Sequence, residues 1–104
     1  MHCVGLALKL KPDTYDEYKR RHDELWPEMA QMMASNGVSS TIYRFNEYLF
    51  VHSVAETAEA FDRCDQDPIT PRWNKYMADV LETDNDGNPV VYSLPLAFAF
   101  GQYK

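Results

Sequence analysis

Two phenols and an imidazole share one side of a predicted helix near the start of this 104-residue chain. Tyr15, Tyr18 and His22 follow one another at helical spacing, so their side chains lie on the same face. Imidazole titrates near neutral pH and phenols donate hydrogen bonds, so the group suits proton transfer with a neutral polar substrate. The alternative for His22 is a purely structural role, which is common for a single histidine on a semi-apolar face.

These residues belong to a longer pattern. The run YKRRHDELWPEM is followed by an SNG turn, and later in the chain by PRWNKYMADV and DNDGNPV. Through these motifs, nearly the whole chain resembles the L-rhamnose mutarotase family. The resemblance implies a dimeric α/β barrel and a cofactor-free enzyme that interconverts the α and β anomers of L-rhamnose, a 6-deoxy sugar, by acid–base ring opening.

The resemblance also implies roles for individual residues. His22 matches the proton donor of the family, and Tyr18 and Trp73 match residues that contact the sugar. Asn74 stands where the family has the second tryptophan of a Trp-Trp pair. This is a departure, because an amide hydrogen-bonds hydroxyls but offers no ring for stacking. For Trp73, a core position is the alternative to a place in the site.

A second departure concerns the part of the chain that precedes Ile42-Tyr43. The rhamnose-type pattern has a tyrosine about three residues before the tyrosine of its Ile-Tyr pair, whereas this chain has Ser39, Ser40 and Thr41 in that region. We expect either Thr41 or Tyr43 to contact the substrate. The run IYRFNEYLF is similar to the L-fucose mutarotase branch, and DNDGNPV is similar to the rhamnose branch, so both sugars are candidate substrates.

The hydrophobic pattern predicts the elements that position these residues. Predicted strands span residues 3–10, 38–45, 48–54 and 90–100, and predicted helices span residues 15–25, 27–36, 56–65 and 72–81, with chain breaks around Asp67-Pro68 and Thr70-Pro71. We therefore predict a single α+β domain over residues 1–104 with ferredoxin-like βαββαβ order, an antiparallel sheet, and helices on one face.

Two strands carry more specific expectations. The first strand alternates leucines with the small residues Cys3, Gly5 and Ala7, which leave room for a ligand beside a helix or for a closely packed helix. The last strand is apolar on both sides, as expected for a strand that is covered twice. Because the uncovered face of such a sheet must be hidden, we predict a homodimer.

Composition and charge exclude several classes of partner. A net charge of −6 argues against binding to nucleic acid or to anionic membranes. No apolar run approaches the roughly 20 residues of a membrane span, and the N-terminal segment lacks the features of a signal peptide. Cys3 and Cys64 are isolated thiols, which favours the cytoplasm.

Other types of site do not fit the spacing. His2, His22 and His52 show no metal-binding spacing and the glycines form no phosphate loop, so we expect no metal and no cofactor. Two further functions stay open as alternatives: a small dimeric-barrel monooxygenase that uses haem or quinols, and a non-catalytic dimer that binds sugar.

Overall fold

The computed structural model describes residues 1–104, and its elements follow the predicted order. In chain order they are β1 (His2–Lys9), α1 (Tyr15–Asp23), α2 (Pro27–Ser35), β2 (Ser39–Phe45), β3 (Tyr48–Ala55), α3 (Ala58–Gln66), α4 (Ile69–Met77), β4 (Tyr92–Leu94) and a terminal 3₁₀ turn (Gly101–Tyr103). The strands form one sheet in the order β2-β3-β1-β4, and all neighbouring strands are antiparallel. The ferredoxin-like α+β prediction is confirmed.

The side chain of Thr14 fixes the start of α1, although it makes no capping hydrogen bond to the helix. Thr14 immediately precedes the helix, and its hydroxyl lies 2.7 Å from the carbonyl oxygen of Lys11 and 3.0 Å from that of Val80. A backbone N–H of Lys11 donates to the same Val80 carbonyl. These hydrogen bonds join the beginning of α1 to the segment that follows α4, so they fix the position of α1 relative to α4.

The fourth helix begins earlier than the sequence pattern indicated. We expected Thr70-Pro71 to break the chain before a helix over residues 72–81, but α4 already starts at Ile69. Pro71 lies in the first turn, where a missing N–H breaks no intrahelical bond. The Asp67 carboxylate accepts a hydrogen bond from the Ile69 N–H at 2.9 Å and so supports this earlier start.

The leucine face of β1, and not its small-residue face, meets the helices. Leu6 and Leu8 line a cavity together with side chains of α1, α2 and α4. The expectation that the small residues leave room beside a helix is therefore wrong. Ala7 lies on the opposite face, between Phe50 of β3 and Tyr92 of β4 in the sheet register.

The last strand is much shorter than the predicted segment of residues 90–100. Only Tyr92–Leu94 pairs, and its partner is the middle of β1. Pro95 follows directly and has no N–H to continue the ladder. Beyond it Phe98 and Phe100 are each 79 % exposed, so a segment predicted to be covered twice is uncovered in the single chain.

Candidate active site

A cavity of about 430 Å³ lies between the sheet and side chains of α1, α2 and α4. This volume lies in the range of small-molecule sites, which is about 300–1,000 Å³. Polar groups enter it from Tyr18, His22, Ser40, Ser53 and Asn74. The rest of the lining is mainly apolar and includes Leu6, Leu8, Leu25, Met29, Met33, Ile42, Val51, Trp73, Met77, Leu81 and Val91.

His22 is held between two aromatic rings. Its ring centroid lies 4.3 Å from that of Tyr18 and 5.4 Å from that of Trp73, which meets it edge-on. Nδ1 lies 3.1 Å from the carbonyl oxygen of Tyr18, one helical turn earlier. A carbonyl can only accept, so Nδ1 carries the proton of the neutral ring, and Nε2 is left as a free acceptor.

The surroundings of His22 favour the neutral imidazole. Burial lowers the pKa of His22 below its ordinary value, and the hydrogen bond to the Tyr18 carbonyl and the nearby Asp23 charge oppose this effect. The side chain is half-buried and lines the cavity. At neutral pH it can therefore accept a proton at Nε2 before it donates one.

Tyr18 supplies a neutral hydroxyl to the same cavity. The residue is buried, and its hydroxyl has no hydrogen-bond partner within the chain. Burial raises the pKa of Tyr18 well above that of a free phenol, and the neighbouring Tyr15 adds to the effect. The hydroxyl thus keeps its proton and can donate a hydrogen bond to a substrate oxygen.

Trp73 forms a wall of the cavity and part of the core at once. It is 7 % exposed and belongs to the main hydrophobic cluster. Its ring lies edge-on to Trp26, with centroids 5.1 Å apart, and 5.6 Å from the ring of Tyr76. The sequence left a core role and a site role as alternatives; the structure shows the core position and places the ring at the cavity wall, and a contact with substrate stays a prediction.

A largely buried arginine next to His22 connects α1 to α4. The Arg21 side chain is 10 % exposed, and its Nε donates to Glu17 at 2.6 Å. Its Nη1 donates to the Tyr76 carbonyl at 2.7 Å and to Asp79 at 2.6 Å. The guanidinium also stacks on the Tyr76 ring, 4.5 Å from its centroid. This clamp keeps Trp73 against His22, and the sequence reading did not single it out.

Four of the six predicted site residues come together at this cavity, and two do not. Tyr18, His22, Trp73 and Asn74 all line it, with Asn74 at its exposed margin. Thr41 and Tyr43 alternate along β2 with Ser40 and Ile42, which do face the cavity, so they lie on the other face of the sheet. Tyr43 also borders a smaller opening at the β2 edge that Tyr18 and His22 reach.

Sequence reasoning missed Ser40 and Ser53, the two serines that face the cavity. The signal that could have found Ser40 is its alternation with Ile42, which fits the apolar side of the strand.

A larger groove of about 780 Å³ lies near the start of α1. Tyr15 lines it, but none of the six residues predicted to act in catalysis or substrate binding does. No three His, Cys, Asp or Glu side chains come close enough together to hold a metal ion. The four α-helices have nine residues each, which is too short for a membrane-spanning helix.

The structure defines a small α+β domain in which a cavity between the sheet and the helices brings together a histidine and a tyrosine hydroxyl. The chain belongs to the L-rhamnose mutarotase family, whose model matches residues 3–99. An L-rhamnose mutarotase from Shouchella clausii is 38 % identical over 95 residues, which cover 88 % of this chain and 91 % of that protein. One from Burkholderia ambifaria is 34 % identical, with 94 % and 97 % covered.

One solved structure agrees with this assignment, and a second agrees with the fold. A crystal structure of an L-rhamnose mutarotase from Formosa agariphila matches with a TM-score of 0.81 and 29 % identity, covering 97 % of this chain and 100 % of that chain. A Mycobacterium tuberculosis protein matches with a TM-score of 0.63 at 18 % identity, covering 94 % and 97 %. The second match supports the fold alone.

Proposed function

We propose that this protein interconverts the α and β anomers of L-rhamnose, with His22 as the proton carrier. The observation that supports the proposal most directly is the pairing of His22 and Tyr18 at one cavity in a chain of this family. The imidazole has a fixed tautomer with Nε2 free, and the phenol keeps its proton. Together they provide an acceptor and a donor for a neutral sugar.

The reaction needs one proton to leave the anomeric hydroxyl and one to reach the ring oxygen. Nε2 of His22 takes the hydroxyl proton, the bond between the anomeric carbon and the ring oxygen breaks, and an aldehyde forms. The resulting imidazolium returns the proton to the former ring oxygen, which was bonded to the same carbon before the ring opened and therefore lies close by. The Tyr18 hydroxyl stabilises the negative charge that develops on that oxygen. Rotation of the aldehyde and the reverse steps give the other anomer.

The lining of the cavity suits a 6-deoxy sugar. Trp73 offers a ring to the C–H face of the sugar, and Met29, Met33 and Leu6 offer apolar contacts for a methyl group. Each buried methyl contributes about 0.8 kcal/mol. A hydroxymethyl in the same place would lose its hydration without a matching donor or acceptor, so a 6-deoxy sugar is preferred.

Saturation-transfer NMR of anomeric protons tests the proposal directly. We expect the protein to accelerate exchange between the anomers of L-rhamnose over the rate in buffer. Faster exchange of L-fucose than of L-rhamnose would assign the protein to the L-fucose branch. Binding of sugar without accelerated exchange would instead indicate a non-catalytic binding protein, and the enzymatic proposal would fail.

Asn74 provides a test of sugar preference. Asn74→Trp adds an aromatic ring at the cavity margin, and an aromatic contact contributes about 0.5–1.5 kcal/mol. We expect the ratio of L-rhamnose to L-fucose exchange rates to rise about two- to tenfold, since stacking gains weight over hydroxyl contacts. NMR exchange on both sugars measures this ratio. An unchanged ratio would show that position 74 does not contact the sugar.

We further propose that the protein acts as a homodimer through the sheet face opposite the helices. That face carries a row of side chains, Tyr43, Phe50, Ala7 and Tyr92, that follow one another across the four strands in register. Tyr43 is 67 % exposed, and only 13 of 104 residues are buried in the single chain. A second copy would cover these rings and the apolar tail.

Charge placed on this face should break the dimer. Phe50→Glu puts a carboxylate in the centre of the proposed interface, and we expect light scattering to report a monomer where the parent protein is a dimer. Gln31→Glu adds the same charge to an exposed position of α2 and should leave the dimer intact. A parent protein that is a stable monomer at micromolar concentration would contradict the proposal.

We propose that the protein works in the cytoplasm and binds neither nucleic acid nor membranes. The support is the acidic net charge of −6 together with two free thiols, Cys3 and Cys64.

A further inference from the structure

Two serine hydroxyls interrupt the apolar side of the cavity. Ser40 of β2 and Ser53 of β3 lie opposite each other in the strand register, and their Oγ atoms are 2.6 Å apart. Ser53 is the only polar residue among the 13 buried residues of the chain. Both residues line the cavity that holds His22. A polar pair at such a place calls for a physical reason.

The pair has hydrogen-bonding capacity that the chain does not use. Each hydroxyl carries one proton and two acceptor lone pairs, and the contact between the two serines uses one proton and one lone pair. Neither Oγ has another partner in the chain. One proton and several lone pairs are therefore available. Because both serines line the cavity and Ser40 is exposed, a ligand in the cavity can reach them.

We propose that the Ser40–Ser53 pair is a specificity-determining subsite that hydrogen-bonds one ring hydroxyl of the sugar. The inference rests on the proposed sugar mutarotase function and names a part of the same site. A ring hydroxyl can accept the free serine proton and donate to a free lone pair, which satisfies both partners. A sugar that lacks this hydroxyl leaves the serines without a partner in a desolvated site, so the pair selects against it.

The subsite acts on recognition and not on proton transfer. Serine hydroxyls do not titrate in the range where His22 does, and neither serine makes a hydrogen bond to His22. Removing one of them should therefore change which sugars are used and leave the pH dependence of exchange unchanged. If the pair were only structural, removing one serine would lower stability and would change the exchange of all sugars by the same factor.

The test compares L-rhamnose with its 2-deoxy, 3-deoxy and 4-deoxy analogues in the parent protein and in Ser40→Ala and Ser53→Ala. We expect each variant to lose about three- to thirtyfold in kcat/KM for L-rhamnose. For one of the three analogues, the kcat/KM of the parent protein should fall below its value for L-rhamnose by the same factor. The two variants should show no further decrease in kcat/KM for that analogue. The identity of that analogue gives the hydroxyl that the pair recognises.

Ser39→Ala serves as the matched control, because Ser39 precedes Ser40 on β2 and alternates to the opposite face of the sheet. It should leave the selectivity unchanged. Equal losses on all four sugars, or a lower melting temperature with unchanged selectivity, would overturn the inference. Titration of the same sugars by ligand-observed NMR gives their affinities. Selective loss of affinity would support the subsite even if the parent protein did not catalyse exchange, so the two proposals can fail separately.

Discussion

His22→Asn is expected to slow anomer exchange of L-rhamnose about 10²–10⁴-fold, because the variant has no group at this place that can accept and return a proton. Asparagine retains a polar side chain of moderate size, and His22 is half-buried, so the fold should persist. Saturation-transfer NMR gives the rate, and thermal unfolding of the same samples gives the fraction of folded protein.

Two further variants make this result interpretable. His2→Asn removes an imidazole at the exposed start of β1 and should keep the parent rate. Tyr18→Phe should slow anomer exchange less than His22→Asn does, because it removes one stabilising hydroxyl and leaves the proton carrier in place. A His22→Asn protein that folds normally and exchanges L-rhamnose anomers as fast as the parent would end the catalytic assignment.

The lowered pKa of His22 sets the direction of the pH dependence. Exchange requires the neutral imidazole, so the rate should rise with pH through a pKa below the ordinary 6.5 and level off towards neutral pH. Below 6.5 the unfolded chain binds a proton at this histidine more readily than the folded chain does, so folding stability decreases as the pH falls. In His22→Asn this part of the acid destabilisation should be absent.

The site on α1 could be predicted from sequence because its signal is local. Pro12 and Pro27 limit the helix, and helical spacing alone places Tyr18 and His22 on one face. The meeting of this face with Trp73 could not be derived from periodicity. It depends on the Arg21 clamp to Asp79 and on the Thr14 bonds, which join segments far apart in the chain.

The face of β2 could not be assigned from sequence for a different reason. Strand alternation has a period of two, so a slip of one residue exchanges every side chain between the faces. Both sides of this strand carry apolar and polar residues, so the sequence favoured Thr41 or Tyr43 as the sugar contact and passed over Ser40. Only the pairing with β3 fixes the choice. The apolar tail after Leu94 was likewise ambiguous, because hydrophobicity does not tell which chain covers a segment.

Trp73→Ala is expected to be among the most destabilising single substitutions in this chain. The residue is 7 % exposed and contacts Trp26, Tyr76 and His22 through its ring. Removing a buried tryptophan side chain costs about 3–5 kcal/mol, a large part of the roughly 5–15 kcal/mol that stabilises a typical domain. Urea unfolding should show a much lower midpoint, and exchange activity should fall with the folded fraction.

Trp73→Phe separates the core role of this residue from its proposed contact with sugar. A phenyl ring refills part of the space, so we expect a smaller loss of about 1–2 kcal/mol, while the cavity wall recedes from the substrate. Affinity for L-rhamnose should then fall several-fold per folded molecule, with the pH profile unchanged because His22 is intact. Trp26→Phe is the matched control: Trp26 packs on Trp73 but does not line the cavity, so it should lower stability without changing affinity. A Trp73→Phe protein with the parent affinity for L-rhamnose would assign Trp73 to the core alone.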